Sequence, residues 1–165
     1  MTISYLSLGS NIGDRFENLE ICVSEISKIY GIEFVKSSSF YETQPWGVEN
    51  QPWFLNAVIE IETTLLPDEL LIECNKIEMA MGRNRDLETR WGERIIDIDI
   101  LFYGSEIICK QNLVIPHKFL HKRAFVLVPM MEIAPDFVHP FFNKTIEDLY
   151  NEIEHPEDVF LYGTV

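Results

Sequence analysis

Apolar and polar residues alternate along this chain with two different periods, and the switches between them mark its elements. Residues 2–8 read as a short strand. The turn-forming run Gly9-Ser10-Asn11, then Gly13-Asp14, opens a helix. Phe16, Leu19, Val23, Ile26, Ile29 and Tyr30 recur at helical spacing, which predicts a helix over about 14–30 that ends at Gly31. A strand is predicted over about 32–42. Residues 43–53 hold two prolines and a glycine and are predicted to be a loop. Over 54–63 the alternation is clean: Leu55, Ala57, Ile59 and Ile61 share one face, and Phe54, Asn56, Val58, Glu60 and Glu62 the other. A helix starts near Pro67, with Asp68 and Glu69 where the helix dipole favours acids. It turns Leu70, Leu71, Cys74, Ile77 and Met81 inward and stops at Gly82. A charged loop over 83–94 leads to a strand over about 95–103. Beyond it lie an extended segment at 113–116, a helical stretch at 121–133 disturbed by Pro129, and a last helix at 145–153. The order β-α-β-β-α-β predicts a ferredoxin-like α+β sandwich. Its antiparallel sheet would carry helices on one face and an active site on the other.

The 165 residues suit one domain, 1–165, and 47% hydrophobic composition marks a globular chain. No apolar run is long enough to span a membrane, and the start lacks the pattern of a secretory signal. Cys22, Cys74 and Cys109 match no zinc spacing or disulfide framework, so reduced thiols in a cytoplasmic protein are expected. The net charge of -14 argues against nucleic acid as a partner, since a phosphate backbone demands a basic face. The basic residues are nevertheless clustered. Four of the six arginines, Arg83, Arg85, Arg90 and Arg94, fall within twelve residues. A second group follows: His117, Lys118, His121, Lys122 and Arg123. Each run alone reads as a solvated charged face. Two of them on an acidic chain point to a site for a small polyanion.

The strand Ile95-Ile96-Asp97-Ile98-Asp99-Ile100-Leu101-Phe102-Tyr103 carries the sharpest chemistry. Alternation sends Ile96, Ile98, Ile100 and Phe102 into the core and sets Asp97 and Asp99 side by side on the opposite face. Same-face neighbours on a strand lie about 6.6 Å apart, a spacing at which two carboxylates can share hard divalent ions. A bare Asp-x-Asp is commonly no more than a polar strand face. The arginines just upstream, with Trp91-Gly92 between Arg90 and Arg94, shift the reading toward phosphoryl transfer. There is no Walker loop and no dinucleotide fingerprint, so ATP would be held by metal and arginines.

Arg90-Trp91-Gly92-Glu93-Arg94-Ile95-Ile96-Asp97-Ile98-Asp99 resembles the signature of the 6-hydroxymethyl-7,8-dihydropterin pyrophosphokinases. Further blocks agree in order over roughly 3–138. They include Gly9-Ser10-Asn11, Phe40-Tyr41-Glu42-Thr43, Pro45, Gly47, Gln51-Pro52, Leu55-Asn56-Ala57, Gly82-Arg83, Pro116-His117, Arg123-Ala124-Phe125 and Glu132-Ile133-Ala134-Pro135. The resemblance implies transfer of diphosphate from MgATP to the pterin alcohol in folate biosynthesis, by a monomeric cytoplasmic enzyme. It implies that Asp97 and Asp99 hold two Mg2+ ions and that Arg83 and Arg94 reach the ATP phosphates. Glu78, Arg85, Arg90, Ile100, His117, Lys118 and Arg123 would complete the ATP side. Thr43, Pro45, Trp46, Gly47, Phe54, Asn56, Trp91 and Phe125 would line the pterin. It also implies that 83–94 closes as a lid after ATP and then pterin bind. Departures from the family pattern fall at Lys118, Asn75, Gln44, Asn112 and Val114, all bearing on ligand contacts and not on the reaction.

Two other readings compete. A non-catalytic nucleotide or pterin sensor predicts a lost carboxylate or arginine, and none is missing. A two-metal phosphodiester hydrolase would want a further water-activating group and a basic surface.

Overall fold

The computed structural model describes residues 1–45, 50–83 and 92–162. Its chain order begins β1 (Thr2–Ser10), α1 (Arg15–Ser27), β2 (Ile32–Ser37), β3 (Tyr41–Thr43), β4 (Phe54–Thr63), α2 (Pro67–Ala80) and β5 (Asp97–Tyr103). The remainder is β6 (Ile108–Cys109), β7 (Val114–Ile115), a 3-10 turn Leu120–Lys122, α3 (Ala124–Ile133), β8 (Val138–His139), β9 (Lys144–Thr145), α4 (Ile146–Asn151) and β10 (Val159–Leu161). The predicted strand over 32–42 is two short strands, both paired with β4. Asp14 caps α1 by accepting from the Glu17 amide, 3.0 Å away, and Gly31 supplies the left-handed turn beyond it at φ 90°. Tyr30, expected on the inward stripe, stands 96% exposed past the helix end, and Cys22 is buried in the stripe instead.

The main sheet runs β10-β3-β4-β1-β5, with β2 beside the far half of β4, and every pairing is antiparallel. One face carries Leu6, Leu8, Leu55, Ala57, Ile59, Ile61, Ile98 and Ile100. These pack on Leu19, Cys22 and Ile26 of α1 and on Leu70, Cys74 and Ile77 of α2. The expectation of helices on one face only is corrected here. The second face is apolar over half its area, where Tyr5, Val58, Leu101 and Phe102 would otherwise meet water. Leu120, Val126, Leu127 and Met130, with Ile146 and Leu149 of α4, cover that half. α3 is apolar almost all round because it is sandwiched, and it tolerates Pro129 inside it.

β5 departs from strict alternation. Phe102 does not share the face of Ile100. The register against β1 shifts between Tyr5 and Leu6, which face Phe102 and Ile100, so Leu101 is an extra residue. A bulge of this kind reverses the alternation beyond it. Phe102 therefore packs at the second face, against Tyr5 and Phe137. The other half of that face, at the Asp97 end of β5, is left open by the helices.

Candidate active site

The open half-face is built from the ends of three neighbouring strands. Gly9 on the central β1 pairs with Asn56 of β4 on one side and with Asp97 of β5 on the other. Ser7 pairs with Val58 and with Asp99 one row further along. With neighbouring strands about 4.8 Å apart, the amide at Asn56 and the carboxylate at Asp97 are separated by about 10 Å across Gly9. The floor between them is flat because Gly9 has no side chain. A Cβ there would stand 2.9 Å from Asn56 Oδ1 and 3.5 Å from Phe54 Cδ1. Asn56 cannot swing aside cheaply, since its Nδ2 donates to Thr43 Oγ1 at 2.5 Å. We expect Gly9→Ala to raise the KM for the ligand on the Asn56 side by about tenfold while leaving the fold intact, as overpacking by one methyl does. Steady-state kinetics with each substrate varied in turn checks this.

One cleft brings together Ser7, Gly9, Thr43, Gln44, Phe54, Asn56, Arg83, Gly92, Arg94, Asp97, Asp99, His117, Lys118, Phe119, Arg123 and Phe125. It therefore unites most of the residues expected from the sequence. Thr43, Phe54, Asn56 and Phe125 line its β4 side, and Arg83, Arg94, Asp97, Asp99, His117, Lys118 and Arg123 its β5 side. Ile100 and Glu78, expected at the ATP side, are not among the residues lining the cleft. Ile100 is buried in the core behind the sheet. Glu78 of α2 is 1% exposed and reaches the sheet from behind. Its carboxylate accepts from the Ile98 amide at 2.9 Å and pairs with Arg83. Pro45 is not among the residues lining the cleft. Trp46, Gly47, Arg85, Arg90 and Trp91 lie outside the described residues, as does most of the segment expected to act as a lid.

Two like charges on one strand face set the electrostatics. Burial, and then the Asp97 carboxylate, push Asp99 above the usual carboxylate range, against the pull of Arg123 and Arg83. Arg83 Nη1 meets Asp97 Oδ1 at 2.8 Å as well as Glu78, so one guanidinium bridges the hidden acid and an exposed one. His117 is held low, to about 4, by burial and by Arg123, so its ring is neutral at physiological pH. Its Nδ1 accepts from the Phe119 amide, which leaves the proton on Nε2, 3.8 Å from Asp99 Oδ2. That is a polar approach between a neutral ring and a carboxyl group, not an ion pair. Arg123 is 7% exposed and sits between two rings, 5.2 Å from the centroid of Phe119 and 5.4 Å from that of Phe125.

Asn11 does not line the cleft but braces it, a part in the geometry that the sequence reading missed. It is 2% exposed, and its Nδ2 donates to Gln51 Oε1 at 3.0 Å and to the Pro52 carbonyl at 2.9 Å. Its Oδ1 accepts from the Arg94 amide at 2.7 Å, and its own amide donates to the Arg94 carbonyl. One amide side chain thus ties the residues before β4 to those before β5. The available signal was an asparagine directly after a strand, which reads equally well as a turn into α1.

Comparison with known proteins places the chain in a family. The family model for 7,8-dihydro-6-hydroxymethylpterin-pyrophosphokinase (HPPK) matches residues 5–135. A 2-amino-4-hydroxy-6-hydroxymethyldihydropteridine pyrophosphokinase of Methylorubrum extorquens is 51% identical over 138 residues, covering 84% of this chain and 86% of that one. A protein of the same name from Aquifex aeolicus is 42% identical over 152 residues, 92% of each chain. Among solved structures, a Plasmodium falciparum HPPK-DHPS triple mutant with SDX-DHP superposes with a TM-score of 0.74 at 21% identity. It covers 92% of this chain, which spans 44% of that longer one, and the likeness speaks to the fold. On the matched length and the level of identity, this chain belongs to the 7,8-dihydro-6-hydroxymethylpterin-pyrophosphokinase family.

Proposed function

We propose that the protein transfers the diphosphate of MgATP to 6-hydroxymethyl-7,8-dihydropterin, releasing AMP and the pterin diphosphate for folate biosynthesis. The observation that carries this reading is the row Asn56–Gly9–Asp97, which sets a pocket for a flat polar heterocycle beside a pair of carboxylates on one sheet face. Phe54 and Phe125 offer ring faces for the pterin, and Asn56 with Thr43 offers amide and hydroxyl groups to its edge. Trp46, Gly47, Pro45 and Trp91 complete that side in this reading. On the other side Arg83, Arg94, Arg123 and Lys118 neutralise the triphosphate, with Arg85 and Arg90 in support. Arg83 stays on Glu78 while exchanging Asp97 for a phosphate oxygen.

The donor set fits Mg2+. Asp97 and Asp99 supply two carboxylates, and no group of three or more His, Cys, Asp or Glu converges among the described residues. Magnesium takes few protein carboxylates and completes its shell with water and phosphate. Two ions between the carboxylates and the triphosphate would neutralise charge on the transferred group and on the AMP leaving oxygen. Burial, and then the Asp97 charge, disfavour the Asp99 carboxylate, and cation binding would favour it again. The neutral His117 donates from Nε2 toward the same carboxyl cluster or a phosphate oxygen.

The β-α-β-β-α-β core with sheet order β3-β4-β1-β5 supports a ferredoxin-like reading, with α3, α4 and β10 as additions. We read residues 1–165 as one monomeric, cytoplasmic domain. No helix among the described residues is long and apolar enough to cross a membrane.

AMP formation from MgATP, measured with and without the pterin alcohol, tests the reaction. Pterin-dependent AMP with stoichiometric pterin diphosphate is expected, and AMP or phosphate release independent of pterin would overturn it. The pterin pocket has its own test. Asn56→Ala removes one buried partner and leaves Thr43 without its amide, which costs roughly 1–3 kcal/mol. Calorimetry should show pterin affinity falling about 10–100-fold with the affinity for an ATP analogue unchanged. Equal losses for both ligands would contradict the pocket.

A further inference from the structure

Residues 154–162 lie beyond the matched segment and carry no motif, yet they touch the pterin side of the cleft from two directions. β10 pairs with β3 through Val159↔Thr43, Phe160↔Glu42 and Leu161↔Tyr41. β3 is only three residues long and pairs on its other side with β4, so β10 makes it an internal strand. Thr43, the hydroxyl partner of Asn56, is held in that way at 1% exposure. Phe160 stacks on Trp53 with centroids 6.0 Å apart, and the Tyr162 amide donates to the Phe40 carbonyl at 2.9 Å. The segment is therefore pinned at its far end.

Two residues before β10, Glu157 reaches the opposite wall. Its Oε1 accepts from the Phe125 amide at 3.0 Å. Phe125 stands in the first turn of α3, whose N-cap residue Arg123 makes no side-chain capping bond. A helix start needs acceptors for its first amides and favours negative charge nearby. Glu157 supplies both from a distant part of the chain. The amide it holds belongs to the residue whose ring lines the cleft and packs against the Arg123 guanidinium.

We propose that Glu157 is a positioning residue for the pterin side of the site: through the Phe125 amide it sets the ring of Phe125 in the cleft that Phe54 also lines, while β10 fixes its own place by pairing with the strand that carries Thr43. The proposal rests on the reading of Phe125 as a pterin-stacking residue. Glu157 touches neither substrate, so its removal loosens the ring without removing a ligand contact. A purely structural role would lower stability alone. A role through charge on Arg123, which Glu157 also favours, would weaken the phosphate side.

Three measurements on the full chain separate these roles. Glu157→Ala should raise the KM for pterin by about tenfold, the effect of leaving the Phe125 amide without its acceptor. Its kcat and its KM for ATP should stay within about twofold. Glu157→Gln keeps an acceptor oxygen but loses the charge, and should restore the pterin KM to within about twofold of the parent. Hydrogen exchange at the Phe125 amide should quicken in Glu157→Ala and not in Glu157→Gln, whatever the activity. An unchanged pterin KM in Glu157→Ala would overturn the proposal. So would a rise in the KM for ATP shared by Ala and Gln, which would make Glu157 a charge partner of Arg123. If the parent protein shows no pterin-dependent AMP, the proposed function fails, and the exchange result alone decides whether Glu157 holds Phe125.

Discussion

Asp97→Ala and Asp99→Ala should each abolish diphosphate transfer while the protein stays folded. Both carboxylates face the cleft from one strand, and no group of three or more His, Cys, Asp or Glu that could hold a metal converges among the described residues. Losing one should cost several kcal/mol of transition-state stabilisation, about a thousandfold or more in kcat/KM. Stability should respond in the opposite sense or hardly at all. Asp99 is pushed up by its own burial and by Asp97, so removing either carboxylate relieves a repulsion. Asp97→Ala gives up its contact with Arg83, but the Asp97 side chain is 36% exposed and such a pair contributes only about 0–1 kcal/mol. AMP release at saturating Mg2+, paired with a thermal melt in metal-free buffer, measures both effects. A variant with near-parental turnover would remove Asp97 or Asp99 from the proposed metal site. A variant that does not fold would mean that the carboxylates are structural.

The site was legible where the chain obeys a period. Alternation in β4 put Phe54 and Asn56 on the face away from Leu55 and Ala57, and the structure keeps them there. The same rule set Asp97 and Asp99 outward and Ile98 and Ile100 inward. It failed two residues beyond Ile100, at Phe102, because the bulge at Leu101 arises from how β5 lies against β1 and leaves no local mark. The helices on the second face escaped for a related reason. α3 is apolar on all sides, so its sequence shows no stripe to say which surfaces bury it. Glu78 gave a visible signal of its burial. It follows Cys74 by four residues and Leu70 by eight, so it lies on the inward face of α2, where an acid needs a buried partner. Glu157 had no signal at all, since its bond to Phe125 spans 32 residues.

Glu78→Ala is expected to destabilise the protein severely, unlike either cleft aspartate. The Glu78 carboxylate is 1% exposed, its partner Arg83 has a side chain only 6% exposed, and the Ile98 amide donates to the same oxygen. Alanine removes the acceptor of a β5 amide and half of a buried ion pair at one stroke. Breaking such a pair from one side typically costs about 3–5 kcal/mol, and Arg83 keeps the more exposed Asp97 as a carboxylate partner, which offsets part of that cost. For a chain of this length that corresponds to a fall in Tm on the order of 10 °C. Glu78→Gln retains an oxygen for the Ile98 amide and should lose less. The double variant Glu78→Met with Arg83→Met removes both charges and should recover much of the stability lost by Glu78→Ala, though not transfer, since Arg83 serves the phosphates in the proposed reaction. Thermal and urea melts of the three variants provide the measurement. A Glu78→Ala protein that melts within a degree or two of the parent would show that the pair contributes little. Glu78 would then stand as a residue poised for ligand contact, not as the support behind Asp97, Ile98 and Arg83.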